Sequence, residues 1–342
     1  MTRLLSPAIL AVSLLLCAAD AGAATDSAEA RALGRRLREV TVLAERGDAR
    51  AQYELASLYA DGRAVKLNPK LAVRWYREAA EQGLPEAQYQ LGLATLAGRG
   101  TAADPAAAAD WLSKATANGS LPAQVALARL YREGLGVTRD EMQAGRLYRA
   151  AAERGSTEAQ VALARLHQRG LGVPKNDAEA EKWLRAAAEQ GDAEGRFALA
   201  MLLREQKQWS KANAEAVQLL DAAAQQGHPG AMYELGVMHY NGIEAPLDLP
   251  RAIAYFNESA DGGYPPALVR LGKLHMTGEG VARDPLRALM FLELARVLGN
   301  GNGNGNGEAE EIRLRAAQSL TPRQIAEAER HAKEWRRMRG MD

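Results

Sequence analysis

Glycine recurs every 36 residues along most of this chain, at Gly47, Gly83, Gly119, Gly155, Gly191, Gly227, Gly263 and Gly299, without insertion or deletion. A fixed period of this length marks a stacked-repeat architecture and restricts the fold more than any other property of the sequence. Eight residues after each of the first seven glycines stands a leucine: Leu55, Leu91, Leu127, Leu163, Leu199, Leu235 and Leu271. The next residue is always small (Ala56, Gly92, Ala128, Ala164, Ala200, Gly236, Gly272). Further on, an alanine recurs without exception at Ala72, Ala108, Ala144, Ala180, Ala216, Ala252 and Ala288. We number the units 1 to 7 from Gly47.

The pattern translates into structure. Small and large apolar residues at helical spacing predict an amphipathic first helix of about three turns. A Gly-x-Gly-Val turn follows in several units, as in Gly134-Leu135-Gly136-Val137, Gly170-Leu171-Gly172-Val173 and Gly278-Glu279-Gly280-Val281. Asp104-Pro105 and Asp284-Pro285 are then starts for a second helix. That helix carries pairs such as Trp75-Tyr76, Trp111-Leu112, Leu147-Tyr148, Trp183-Leu184, Tyr255-Phe256 and Phe291-Leu292. It ends in Ala-Ala-x-x-Gly, where the marker glycine serves as a left-handed cap. Aromatic residues make up only 5% of the chain, so closely approaching alanine-rich helices, rather than a bulky β core, are expected. One helix pair cannot bury its apolar face alone, so the units stack into an all-α solenoid of helix-turn-helix repeats.

The unit resembles the Sel-one-like repeat (SLR), a relative of the tetratricopeptide repeat (TPR) with a longer, glycine-bearing loop. Ala87-Gln88-Tyr89-Gln90-Leu91-Gly92 and the run from Trp183 to Gly191 carry the resemblance, which extends over residues 47–299. It implies a right-handed, TPR-like superhelix used for protein interaction, often in bacterial envelopes, and no single activity. Residues 24–46 read as an N-terminal capping helix. Residues 308–342 read as C-terminal capping helices, with Leu320-Thr321-Pro322 through Trp335 similar to the family's terminal cap. Repeat 5 departs from the pattern, with Gln206-Lys207-Gln208-Trp209 in place of loop glycines, and Trp209 reads as local packing or an exposed anchor. The Asn-Gly tract within 300–307 is expected to form a flexible loop.

The first 23 residues have the composition of a secretory signal peptide. Arg3 is a positive start, Ala8 to Leu16 a short apolar core, and Ala21-Gly22-Ala23 a small-residue cleavage site. The expected location is therefore periplasmic or secreted. No later stretch is long and apolar enough to span a bilayer. The single cysteine, Cys17, follows Leu14-Leu15-Leu16 rather than the small residue that a lipoprotein signal favours, so lipidation is not expected. Cleavage leaves no cysteine for disulfides, thiolate chemistry or cysteine-bound zinc.

Chemistry has little foothold. Lysine and arginine (43) balance aspartate and glutamate (42), giving +1 overall, so there is no global electrostatic case for nucleic acid or an acidic membrane. His167, His239 and His275 stand twelve residues after their marker glycines, where other repeats have Tyr59 and Tyr131, and so replace a packing residue. His228 and His331 lack partners at ligand spacing. No metal, cofactor or catalytic set is predicted, and the expected protein is not an enzyme.

Binding is the better reading. Offsets six, ten and thirteen from the marker glycine share one face of the first helix. A groove there would be aromatic at its ends, through Tyr53, Tyr89, Tyr233 and Tyr240, and arginine-rich in its middle, through Arg129, Arg132, Arg165 and Arg204. Arginine and tyrosine are the types that dominate interface energetics. The predicted function is a protein–protein interaction scaffold or regulator of the bacterial envelope. Its arginines would take an acidic segment of another envelope protein and its tyrosines apolar side chains. The alternatives are polysaccharide or peptidoglycan binding, with sugar faces on the tyrosine ladder, and a wall-active or β-lactam hydrolase.

Overall fold

The computed structural model describes residues 28–206, 214–299 and 307–341. The signal segment 1–23, Trp209 and the Asn-Gly tract 300–306 lie outside the described residues. Seventeen α-helices and no strand occur among the described residues. The chain divides into two compact units, one ending at Ser120 and the other beginning at Leu121.

The first unit holds α1 (Ala28–Glu45), α2 (Ala49–Asp61), α3 (Pro69–Glu81), α4 (Pro85–Ala97) and α5 (Pro105–Ala117). The second unit opens with α6 (Leu121–Glu133), α7 (Glu141–Glu153), α8 (Thr157–Arg169), α9 (Asp177–Glu189), α10 (Ala193–Gln206) and α11 (Ala214–Gln225). It continues with α12 (Pro229–Asn241), α13 (Leu249–Asp261), α14 (Pro265–Thr277), α15 (Pro285–Leu298), α16 (Gly307–Gln318) and α17 (Pro322–Met338). Within each unit consecutive helices pack against one another up to α16, and α17 packs on α15. This is the helix-pair stacking that the 36-residue period demands.

Local chemistry sets the helix limits. Asp104 and Asp284 cap the second helices of repeats 2 and 7, each accepting the amide three residues on at 3.0 Å. The seven marker glycines from Gly47 to Gly263 have φ between 75° and 93°, the left-handed turn that ends each helix pair. Gly299, the eighth, has φ −79° and ends α15 differently.

The loop between paired helices is closed by one recurring bond. The capping residue's amide donates to the carbonyl of the residue twelve positions after the marker glycine. Asn68 bonds Tyr59, Asp140 bonds Tyr131 and Asn176 bonds His167 in this way, all at 2.9 Å. Asp104 likewise bonds Thr95, Asp248 bonds His239 and Asp284 bonds His275. His167 and His239 add a second tie, their Nδ1 lying 3.0 Å from the carbonyls of Pro174 and Pro246. The three histidines are buried at the tyrosine position, as packing residues that also hold the loop.

Core packing explains the obligatory small residue. All seven pattern leucines are buried, from Leu55 to Leu271. A Cβ on Gly236 would stand 2.6 Å from the Phe256 ring, and one on Gly272 would stand 2.7 Å from Leu292. These glycines let the paired helices approach until the second helix's large residue fills the space between them.

Neighbouring rungs are joined by a buried amide. Gln52, Gln88, Gln124 and Gln160, five residues after their marker glycines, are all buried. Gln52, Gln88 and Gln160 donate to the carbonyls of Ala44, Ala80 and Ala152 at the end of the preceding helix pair or cap. Their side-chain oxygens accept from Gln82, Asn118 and Gln190 at the end of their own second helix. Gln124 donates instead to the Leu147 carbonyl and accepts from Arg154. Every polar atom of the amide that enters the interior is thus met.

At the carboxyl end, Thr321 and Gln324 form a reciprocal capping box that starts α17. Glu293, 8% exposed on α15, pairs with Arg313 of α16 at 2.9 Å. Arg339 binds Asp261 at 2.5 Å and lies 4.1 Å above the Trp335 ring, bringing the chain end back to repeat 6.

Candidate partner-binding face

The face of the first helices that carries the predicted groove residues is built differently in the two units. In the first, Tyr53 and Tyr89 are half-buried. The Tyr53 ring packs 5.7 Å from that of Tyr76 on α3, and Ser57 Oγ lies 3.1 Å from the Tyr76 hydroxyl.

In the second unit, offset six turns inward. Val125 and Val161 are 4% and 3% exposed, while Phe197 stacks on His228 with ring centroids 4.5 Å apart. Tyr233 is wedged between Phe256 and Tyr264, at 5.7 and 5.5 Å. Tyr240 is also engaged: its hydroxyl donates to Glu279 at 2.7 Å, and Arg270 covers its ring at 5.1 Å. These tyrosines hold rungs together instead of standing free.

The arginines divide three ways. Arg129 is exposed and forms no ion pair with a described residue. Arg132, 38% exposed, pairs with its neighbour Glu133 at 2.7 Å. Arg165 is 48% exposed and bridges to Glu194 of the next repeat. Exposed pairs of this kind contribute about 0–1 kcal/mol and are readily exchanged for other partners.

Arg204 is a correction to the expected groove set. Its side chain is only 2% exposed and pairs with Glu234 at 2.7 Å, with Glu244 a further 3.6 Å from its Nε. Glu244 sits at φ 64° in the loop of repeat 6, where repeats 2, 3, 4 and 7 have Gly100, Gly136, Gly172 and Gly280. The buried cation explains why a carboxylate occupies a glycine position. Arg204 is thus a structural residue, with no surface left to offer a partner.

Contacts between repeats also bring together residues that look unrelated in sequence. His228 caps α12 by accepting the Ala231 amide at Nδ1, while its Nε2 donates to Glu194 at 2.9 Å. Glu194 therefore has both His228 and Arg165 as partners, and the His228 hydrogen bond holds its carboxyl below the usual range, with Arg165 assisting. Among the described residues no three histidine, cysteine, aspartate or glutamate side chains gather as a metal ion would need. No described helix is long and apolar enough to cross a membrane.

Comparison with known proteins matches this architecture throughout. The Sel1 repeat family model matches residues 49–84, 85–120, 121–156, 157–192, 193–228, 229–264 and 265–300. A Sel1 repeat protein from Oxalobacter formigenes is 34% identical, over 84% of this chain and 81% of that one, with a TM-score of 0.62. A protective antigen with an SLR fold from uropathogenic Escherichia coli is 24% identical, over 88% of this chain and 79% of that one, with a TM-score of 0.41. An immunity protein from Pseudomonas aeruginosa is 22% identical, covering 63% of this chain and 82% of its own, with a TM-score of 0.48. No curated protein matches the chain.

Proposed function

Because the chain belongs to the Sel1 repeat family, whose members are generally non-catalytic scaffolds for protein–protein interaction, we propose that it is an exported scaffold holding an acidic segment of another envelope protein. The observation that carries this reading is the state of the cations on repeats 3 and 4. Arg129 is exposed and unpaired among the described residues, and Arg132 and Arg165 are held only by exposed carboxylates. An acidic segment replaces those weak internal pairs with interfacial ones while the buried frame stays as it is. The export part of the reading rests on Arg3, the apolar run Ala8 to Leu16 and the Ala21-Gly22-Ala23 site.

The test is capture of a partner from an envelope extract by the mature protein, beside a variant with Arg129, Arg132 and Arg165 changed to glutamate. One specific protein should be retained by the parent and lost by the variant, with the melting temperature held within about 2 °C, as expected for exposed positions. Equal retention by both proteins, or capture of wall glycan alone, would overturn the acidic-segment reading. Fractionation of the producing cell checks the location separately.

A further inference from the structure

Tyr148 on α7 is 3% exposed, yet its hydroxyl makes no hydrogen bond to a described residue. The ring is buried, but the hydroxyl is not sealed off from solvent. Its counterpart in repeat 1 shows where this hydroxyl emerges. Tyr76 holds the same register position, 36 × 2 residues earlier, and its hydroxyl reaches Ser57 Oγ at 3.1 Å. The residue at the Ser57 position in repeat 3 is Arg129, whose side chain is exposed. The other repeats place Leu112, Leu184, Leu220, Phe256 or Leu292 there and bring no hydroxyl.

Repeat 3 therefore combines a phenol donor with two guanidiniums close enough to act on it electrostatically, Arg132 and Arg129. Glu133 and Glu158 are the other charged groups near it. Burial raises the phenol's pKa above its usual value, so it is a neutral donor, while Arg132 and Arg129 pull in the opposite direction. Glu133 is bonded to Arg132 at 2.7 Å, and Glu158 makes no ion pair with Arg129. With those two carboxylates nearby, the site suits a single negative charge better than a doubly charged phosphate.

We infer that Tyr148, Arg129 and Arg132 form a carboxylate-binding site that receives one acidic side chain of a partner polypeptide on repeat 3. This deepens, and rests on, the acidic-segment reading above. The phenol supplies a directed hydrogen bond and the arginines supply charge, the combination that favours an ionised oxygen acceptor. The hydroxyl has no partner among the described residues and reaches the surface, so it is available to donate to a bound carboxylate.

The experiment is calorimetric titration of the mature chain at low salt with hexa-aspartate blocked at both ends, which carries only side-chain carboxylates. Tyr148→Phe and Arg129→Gln should each weaken binding about tenfold, as loss of a hydrogen bond to a charged group entails. Tyr76→Phe, whose hydroxyl already has a partner, should bind like the parent. Tyr148→Phe should melt no lower than the parent, which separates a binding role from a structural one. Parent-like affinity in Tyr148→Phe, an equal loss in Tyr76→Phe, or no binding by the parent would each overturn the proposal. So would tighter binding of an uncharged peptide that has only a free terminal carboxylate. If Arg129→Gln weakens binding and Tyr148→Phe does not, the carboxylate site falls while the arginine face survives.

Discussion

In repeats 1 to 4 a buried glutamine stands five residues after the marker glycine, and in repeats 5 to 7 that position holds Arg196, Met232 and Leu268. The residue thirty positions later changes with it in repeats 6 and 7. Gln82, Asn118, Arg154 and Gln190 serve the four glutamines and repeat 5 keeps Gln226 with Arg196, whereas repeat 6 has Gly262 and repeat 7 has Leu298. Leu268 is fully buried, and Leu298 packs against the same apolar cluster. The pair is therefore exchanged as a pair, polar for polar or apolar for apolar. What the backbone requires there is complementarity, because a lone buried amide would be left unsatisfied. Where the glutamine ladder ends, contacts found in one repeat only take over: Phe197 on His228, Arg204 with Glu234, and Ser259 donating to the Pro229 carbonyl at 2.7 Å.

The sharpest way to break this comparison is at Arg204. Arg204→Ala removes the cation and leaves Glu234 and Glu244, 14% and 4% exposed, without their buried counter-charge. A loss of about 3–5 kcal/mol is expected, the range for stripping one partner from a buried pair. Arg165→Ala, on the preceding rung, removes an exposed pair with Glu194 and should cost less than about 1 kcal/mol. Urea unfolding of both variants measures the contrast. Similar losses would mean that burial does not divide the two arginines as described.

A smaller effect tests the glutamine ladder itself. Gln160→Leu takes one bond each from the Ala152 carbonyl, which keeps the Gly155 amide, and from the Gln190 amide, which keeps the Ala186 carbonyl, and should cost about 0.5–1.5 kcal/mol. Changing Gln190 to leucine as well recreates the Leu268–Leu298 arrangement and should recover part of that loss. A double-mutant cycle with a coupling of about 0.5 kcal/mol or more in the recovering direction supports exchange as a pair. Simple additivity would show that the two positions vary independently.

Much of the frame was legible because each repeat checks the others. The marker glycines, pattern leucines and small residues recur at fixed intervals, so one reading of the unit is confirmed by the next. The glutamine ladder was missed: Gln52, Gln88, Gln124 and Gln160 recur, but their role shows only when the bonds to residues thirty positions later are seen. The face was harder. Register places Arg204 with Arg129 and Arg132, and nothing in that spacing says that Glu234 and Glu244, far along the chain, enclose it. His228 and Glu194 meet across 34 residues for the same reason. A helix's own period reports its faces, whereas the partners that neutralise a charge come from the neighbouring rung.

The smallest expected effect concerns the residue that closes the loops. Repeats 1 and 3 use Tyr59 and Tyr131 there, while repeat 7 uses His275, which is buried and stacked 5.7 Å from Phe291. Burial holds the His275 pKa below its ordinary value of 6.5, with Arg287 acting in the same direction. The folded state therefore favours the neutral ring, and the unfolded chain takes up a proton first as the pH falls. Its contribution to stability is complete above about pH 6.5 and is lost as the pH drops through the lowered folded value. His275→Tyr gives repeat 7 the group used by repeats 1 and 3 and has no charge to gain in this range. Melting temperatures of parent and variant, measured from about pH 8 to about pH 5, should diverge only below about pH 6.5, by a few degrees at most. A constant difference across the whole range would mean that the ring acts here through packing alone.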